Sequence, residues 1–316
     1  PPLALASLSS YFTLCVLALR VVMNPSVGVV GLGIMGSAMA GSLMKAGYRV
    51  VGFDVLETRR RAHRRAGGVP VRRCRDVGLE AGVIITSLPS ADALLTTADE
   101  LVETAPPHIV IETSTLPIEA KEAAREQLAS TGTTLLDCPL SGTGSQARVR
   151  DLVVYASGDR RAYKRVSPML DAIARAHYHV GAFGNGSKTK FVANLLVAIH
   201  NVAAAEALVL AKRAGLDAKT TLRVVADGAG SSRMLEVRGP LMVRDDYSKA
   251  LMKLGIWRKD MTIIADFARK AGVRTPLFSA TAPIYTAATK AGAHRDTAAV
   301  HRVLAESSKL KAKSKK

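Results

Sequence analysis

Six residues constrain this chain more than any others: Gly31-Leu32-Gly33-Ile34-Met35-Gly36. With 25 glycines such a spacing could arise by chance, but its setting is specific. The motif leaves an apolar run of strand length, Val27–Val30, and opens a helical pattern, Ile34–Lys45. Asp54 follows at the end of the next apolar run, 21 residues after Gly33. A GxGxxG between strand and helix, with an acid about 20 residues on, is the arrangement that cradles a dinucleotide. Gly31 permits the tight turn, Gly33 admits the pyrophosphate to the backbone, and Gly36 lets helix and strand pack closely. The open N–H groups and positive dipole end of the helix then face the phosphates. Asp54 would bond the adenine ribose hydroxyls and repel the extra phosphate of NADP, which favours NAD. Arg59, Arg60 and Arg61 begin the next helix and would attract that phosphate, so NADP stays open.

Downstream, apolar runs recur at Val50–Phe53, Val83–Ser87, Ile109–Glu112, Thr134–Asp137 and Leu152–Ala156, separated by helical patterns such as Ile118–Ala129. Strands that are apolar throughout are buried on both faces, which predicts a mostly parallel sheet covered by helices. From Ser187 to Ala214 no Gly or Pro interrupts the pattern, and Gly215 follows as a stop. The expected helix, with Ser187 as its N-cap, is about 42 Å long and can bridge two domains. Beyond it Ala218–Ala226, Lys259–Ala271 and Pro276–Ala291 read as helices. The predicted fold is therefore α/β: an N-terminal Rossmann-type doubly wound sheet over 23–184, then an all-α domain over 185–305 entered by a long interdomain helix. A basic tail fills 306–316, and no internal repeat is evident. Gly181–Thr189 imitates a P-loop, but Ser187 stands where the lysine belongs.

The formal charge is +18, from 44 basic and 26 acidic residues, and much of it is local. Arg59 to Arg75 holds eight arginines and no acid, and five lysines lie between Lys309 and Lys316. Neither run interleaves aromatics for base stacking, which argues against nucleic acid as partner and for solvated surface. The three cysteines are scattered without a CxxC pair, so no metal site is expected and a reducing, cytoplasmic compartment fits. Residues 1–22 are an apolar leader of near-spanning length with no clear signal-peptide layout. Met23, just before the first strand, reads as the natural start, with the leader outside the fold and membrane attachment the less favoured reading.

Four ordered segments carry a resemblance: Gly31–Asp54, Asp137-Cys-Pro-Leu-Ser-Gly142, Gly184–Leu196 with its GNGSKTKFVANLL, and Lys259-Asp-Met261. Together they resemble the β-hydroxyacid dehydrogenases, 3-hydroxyisobutyrate dehydrogenase and tartronate semialdehyde reductase among them, over about Val27 to Ala305. The resemblance implies NAD(P)-dependent interconversion of a small β-hydroxyacid and its semialdehyde, in a homodimer or homotetramer. It implies that Ser141, Gly142 and Thr143 hold the substrate carboxylate, that Lys190 is the acid/base and that Asn194 orients the substrate. Lys259 and Asp260 would close over the cofactor, while Leu88, Pro89 and Thr115 match positions that line it. Two departures concern the pocket wall: Thr143 replaces the usual second glycine, and Arg150-Asp151 replaces Gly-Thr, so Arg150 could meet a second acidic group on the substrate.

The residues themselves support this chemistry. Lys190 and Asn194 are spaced i, i+4 and share one helix face. An alcohol that loses hydride must also lose its hydroxyl proton, and a lysine whose pKa is lowered by burial can take it. An imine reductase has a similar fold but usually lacks this lysine, and a non-catalytic nucleotide- or nucleic-acid-binding relative would have replaced it.

Overall fold

A computed structural model describes residues 25–104 and 108–313; the leader at 1–22 lies outside the described residues. Six strands form one parallel sheet: β1 (Ser26–Val30), β2 (Arg49–Phe53), β3 (Val69–Pro70), β4 (Val83–Thr86), β5 (Ile109–Glu112) and β6 (Thr134–Asp137). Their order is β3-β2-β1-β4-β5-β6, the doubly wound arrangement. Its helices are α1 (Ile34–Lys45), α2 (Glu57–Arg65), α3 (Cys74–Glu80), α4 (Ala91–Val102) and α5 (Ile118–Ala129). Neighbouring residues of a strand face opposite sides. Val27 and Val29 accordingly join Met39 and Leu43 of α1 in one core, while Val30 and Ile84 join Leu94 and Leu101 of α4 in the other.

The run at Leu152–Ala156 leaves this sheet. Pro139 has no N–H with which to prolong the β6 ladder, and the chain turns into a second sheet. That sheet is β7 (Leu140–Ser141), β8 (Val153–Ala156) and β9 (Ala176–His179) in that order, β7 antiparallel and β9 parallel to β8. Helices α6 (Gly144–Arg148) and α7 (Arg160–Ile173) complete this half.

The long helix α8 spans Asn185–Arg213, 29 residues, and Gly215 ends it at φ +81° as the sequence predicts. Its N-cap is Gly184, and Ser187 instead lies within the first turn, because its N–H and hydroxyl are taken by Asp137 of β6. Around α8 pack α9 (Ala218–Ala226), α10 (Arg233–Arg244), α11 (Leu254–Lys270), α12 (Pro276–Gly292) and α13 (Val300–Lys313), the last running through the predicted boundary at 305. Buried Ala198, Ala204 and Ala205 keep the α8 surface low, so Leu235, Trp257 and Tyr285 come close against it. Asn201, wholly buried, donates to Tyr285 Oη at 2.9 Å and to the Thr297 carbonyl at 3.0 Å.

The contact between α1 and the first turn admits no side chain. A Cβ on Gly36 would stand 1.8 Å from the carbonyl oxygen of Gly31. Overpacking ordinarily costs about 1–3 kcal/mol, and here the obstacle is backbone that cannot swing aside. Gly36→Ala should therefore lose about 3 kcal/mol or more of stability. Thermal melts with and without NADH check this: the expected result is a lower Tm and little stabilisation by NADH, and an unchanged pair of melts would refute it.

Candidate active site

The C-terminal ends of β1 and β4 lie side by side where the strand order reverses, the crevice in which open α/β sheets bind ligands. At β1 the turn is made by Gly31 at φ +91°. No side chain caps α1, and the N–H groups of Ile34 and Met35 make no bond among the described residues. Gly33 meets only the tip of Arg59. The residues thus fit the pyrophosphate of a dinucleotide: open donors, a helix N-terminus and a backbone that a ligand can approach. The Leu32 N–H donates to Asp54 Oδ2 at 2.9 Å, tying the turn to the end of β2.

Asp54 is buried and fully engaged. Its Oδ1 accepts the Leu56 N–H at 2.8 Å, and Arg59 reaches Oδ2 at 3.1 Å. Arg60 binds the Asp54 carbonyl at 2.5 Å, and Arg61 pairs with Glu57 at 2.7 Å. All three arginines that the sequence offers to a 2′-phosphate are thus held in local contacts. Across the crevice the half-buried Leu88 and the exposed Pro89 follow β4, with the Leu88 N–H donating to Ser114 Oγ at 2.8 Å. Thr115, next to Ser114, accepts at its carbonyl from Lys259 Nζ of α11 at 2.7 Å.

Ser141 ends β7, opposite Val153 of β8. Gly142 follows at φ +138°, and a Cβ there would meet Leu152 at 2.5 Å, so only glycine serves. The predicted donor set narrows at Thr143. Its N–H is already given to Gln146 Oε1 at 3.0 Å, and its hydroxyl to the same oxygen at 3.1 Å, because Thr143 is the N-cap of α6. Arg150, expected to be available to a second acid, donates instead to the Asp171 carbonyl at 2.7 Å. It turns away on a left-handed backbone, φ +61°. Asp151 beside it is held by Arg175 at 2.9 Å, with Arg233 of α10 at 3.7 Å.

Lys190 and Asn194 project from the same face of α8, 9% and 3% exposed. Asn194 Nδ2 donates to Asp260 Oδ2 of α11 at 3.3 Å, and Lys259 Nζ lies 3.7 Å from Asp260 Oδ1. Lys190 makes no hydrogen bond to any described residue; Asp260 is the charge it feels. Burial pushes the Lys190 amine down to about 8 against the attraction of Asp260. Burial likewise raises the Asp260 carboxyl, against Lys259 and Lys190. A buried amine with no bond to the protein, beside an amide on the same face, can exchange a proton with a small molecule. Among the described residues no three His, Cys, Asp or Glu side chains converge to hold a metal.

The sequence did not single out Lys121, Glu112 and Ser157, which join Asp137 beneath this site. The available signal was a lysine on the apolar stripe of α5, with Ala124 and Leu128, and acids closing two apolar strands.

Residues 26–181 match the NAD binding domain of 6-phosphogluconate dehydrogenase, and residues 184–304 match the NAD-binding domain of NADP-dependent 3-hydroxyisobutyrate dehydrogenase. An L-threonate dehydrogenase of Cupriavidus necator is 34% identical over 275 residues, 85% of this chain and 92% of that one. An NAD-dependent L-serine dehydrogenase of Pseudomonas aeruginosa is 31% identical over 88% of this chain and 97% of its own. The Mycobacterium tuberculosis 3-hydroxyisobutyrate dehydrogenase, solved with L-serine, superposes with a TM-score of 0.82 at 28% identity, covering 89% of this chain and 99% of that one.

The Lys190 value fixes the sign of a pH dependence. Only the neutral amine accepts a proton, and its fraction grows as pH rises. The kcat/KM for hydroxyacid oxidation should climb about tenfold per pH unit below a midpoint near 8, then level off. Initial rates from pH 6 to 10 under saturating NAD+ check it; a flat profile would contradict Lys190 as the titrating group.

Proposed function

Because the chain belongs to the β-hydroxyacid dehydrogenase family, which oxidises a hydroxyacid CH–OH group with NAD(P), we propose that Lys190 is the group that takes the alcohol proton. The observation that carries this reading is Lys190 itself: buried, without a hydrogen bond, its amine lowered to about 8 one turn from Asn194. When bound, the dinucleotide supplies a nicotinamide that accepts hydride from the alcohol carbon. In the same step the O–H pair collapses to a carbonyl and the proton passes to Lys190 Nζ. Asn194 orients the hydroxyl, its amide fixed by Asp260. Ser141 and Gly142 receive the carboxylate, with Thr143 and Gln146 bracing that turn from behind. Lys259 fastens the helical domain to the loop at Thr115, beside the cofactor cleft.

The substrate we favour is a short β-hydroxyacid and the product its semialdehyde, as the names of the threonate, serine and 3-hydroxyisobutyrate relatives suggest. We divide the chain functionally into 23–184 for the cofactor and 185–305 for substrate and subunit contacts, and place the enzyme in the cytoplasm, where its buried free thiols Cys74 and Cys138 stay reduced. A homodimer or homotetramer is supported by Val192, Leu196 and Leu210, apolar and exposed along one side of α8.

Lys190→Ala should lower kcat by about 10²–10⁴, the usual contribution of a general acid or base. NADH affinity should hold, since the phosphates lie against Gly31–Gly36. Asn194→Ala should raise KM as well, because an orienting amide acts in ground and transition states alike. Steady-state rates and NADH fluorescence titration on both variants decide it, and near-normal turnover in Lys190→Ala would sink the assignment.

For the cofactor we favour NAD. A 2′-phosphate would meet the Asp54 carboxylate and would have to detach Arg59 from it. Asp54→Ala frees Arg59 and should raise the NADP-to-NAD ratio of kcat/KM by about tenfold, some 1.4 kcal/mol of repulsion removed. A wild type that already prefers NADP would reverse this ordering.

A further inference from the structure

β5 and β6 are apolar at their centres and end on acids, Glu112 and Asp137, which stand in register across the ladder. Lys121 of α5 inserts its ammonium between them, 2.5 Å from Glu112 Oε2 and 2.8 Å from Asp137 Oδ1. Its third contact is the Ser114 carbonyl at 2.7 Å. All three side chains are 0% exposed; the ammonium donates to Asp137 and the Ser114 carbonyl and pairs by charge with Glu112. Burial alone would push the Lys121 amine down, but Glu112 and Asp137 outweigh it and hold it above the ordinary lysine value.

Each side of this cluster leads to one half of the site. On the cofactor side Glu112 Oε1 accepts the Ser114 N–H at 2.9 Å, and Ser114 Oγ accepts from Leu88. On the helix side Asp137 Oδ2 accepts the Ser187 N–H at 2.7 Å and Oδ1 the Ser187 hydroxyl at 2.8 Å. Ser157 Oγ accepts the Gly186 N–H at 2.9 Å. Helix α8 starts from Gly184, which has no side chain with which to cap it. Its orphan donors are therefore satisfied from the other domain, and the dipole end of α8 meets a carboxylate. Lys190 lies three residues beyond Ser187, one turn along.

We propose that Lys121 is a positioning residue whose ammonium clamps the loops after β4 and β5 to the start of α8, setting the hydride-accepting and proton-accepting halves of the site in one register. Buried charge clusters are often no more stable than apolar replacements, so stability alone does not account for this one. The inference rests on Lys190 as acid/base, and Lys190→Ala is measured in parallel to separate the two.

The test uses the full chain with Lys121→Met, which keeps the apolar stem, and Asp137→Asn, which is isosteric and removes the cap charge. Displacing reacting groups by about 1 Å costs on the order of 10² in rate. Both variants should show kcat lower by about that factor, with hydroxyacid KM and NADH Kd little changed, as expected when transition-state geometry alone is lost. The pH midpoint near 8 should move up towards 10.5 as the start of α8 loosens and water reaches Lys190. The charged group facing Lys190 is Asp260 of α11, with Lys259 beside it. Removing a charge directly would shift the two variants in opposite directions, so a rise in both reads displacement. A lower Tm with kcat and midpoint unchanged would overturn the proposal, as would failure of both variants to fold. Should Lys121→Met alone fail to fold, Asp137→Asn decides by the same measurements. Full turnover in Lys190→Ala would overturn the acid/base reading and this inference with it.

Discussion

The hydrogen bonds from Ser187 to the Asp137 carboxylate hold the rest of this structure in relation. A 29-residue helix enters the second domain from a glycine, and its first N–H groups would otherwise be buried without partners. Asp137 supplies the acceptor at the C-terminal end of β6, and Lys121, buried 2.8 Å from it, supplies the opposite charge. Removing one member of such a cluster leaves uncompensated charge, at about 3–5 kcal/mol, while the intact cluster contributes little net stability. The contact therefore tolerates little drift. It transmits the register of a rigid parallel sheet to the face of α8 that carries Lys190 and Asn194.

From that anchor the electrostatics of the site follow. Lys190 is buried without a hydrogen bond, and burial lowers its amine; Asp260 alone offsets the effect, leaving it near 8. Were Asp260 to bond Lys190 directly, the amine would stay charged and could not accept a proton. Its two oxygens are turned instead to Asn194 and Lys259, at 3.3 and 3.7 Å. On the acid/base role proposed for Lys190, roughly one in ten would then be free as base at neutral pH, and the reverse reaction would find the acid form abundant.

The parts of this architecture legible in the sequence are those whose pattern is local. The glycine turn, the strands from Val27 to Asp137 and the helices Ile34–Lys45, Ile118–Ala129 and Ala218–Ala226 follow from periodicity and punctuation, and they agree with the observed elements to within a residue or so. Two-residue strands such as Val69–Pro70 and Leu140–Ser141 carry no period to read. Ala176–His179 is polar because it lies at the edge of its sheet. Ser187 has the composition of an N-cap, but the true cap interaction comes from a carboxylate 50 positions away. Lys121 shares the apolar stripe of its helix with Ala124 and Leu128, but its partners Glu112 and Asp137 lie on other elements. Such long-range partners leave no local signature.

The arginine-rich stretch shows the same limit from the other side. As a run of charge it resembles the footprint of a polyanion site. In the fold Arg59 and Arg60 close around Asp54, Arg61 pairs with Glu57 and Arg75 with Glu103. His63 is buried against Gly52 and Gly68, where any side chain would collide with its ring, and it bonds the Val50 carbonyl at 3.2 Å. Burial lowers its pKa, so it stays neutral in that slot. The helix is thereby pinned across β2, and two of its five arginines, Arg59 and Arg60, are engaged in shaping the wall beside Asp54. What remains on the surface, Arg64, Arg65 and Arg72 among them, adds positive potential on the cofactor's side of the molecule, where an anionic dinucleotide gains from it.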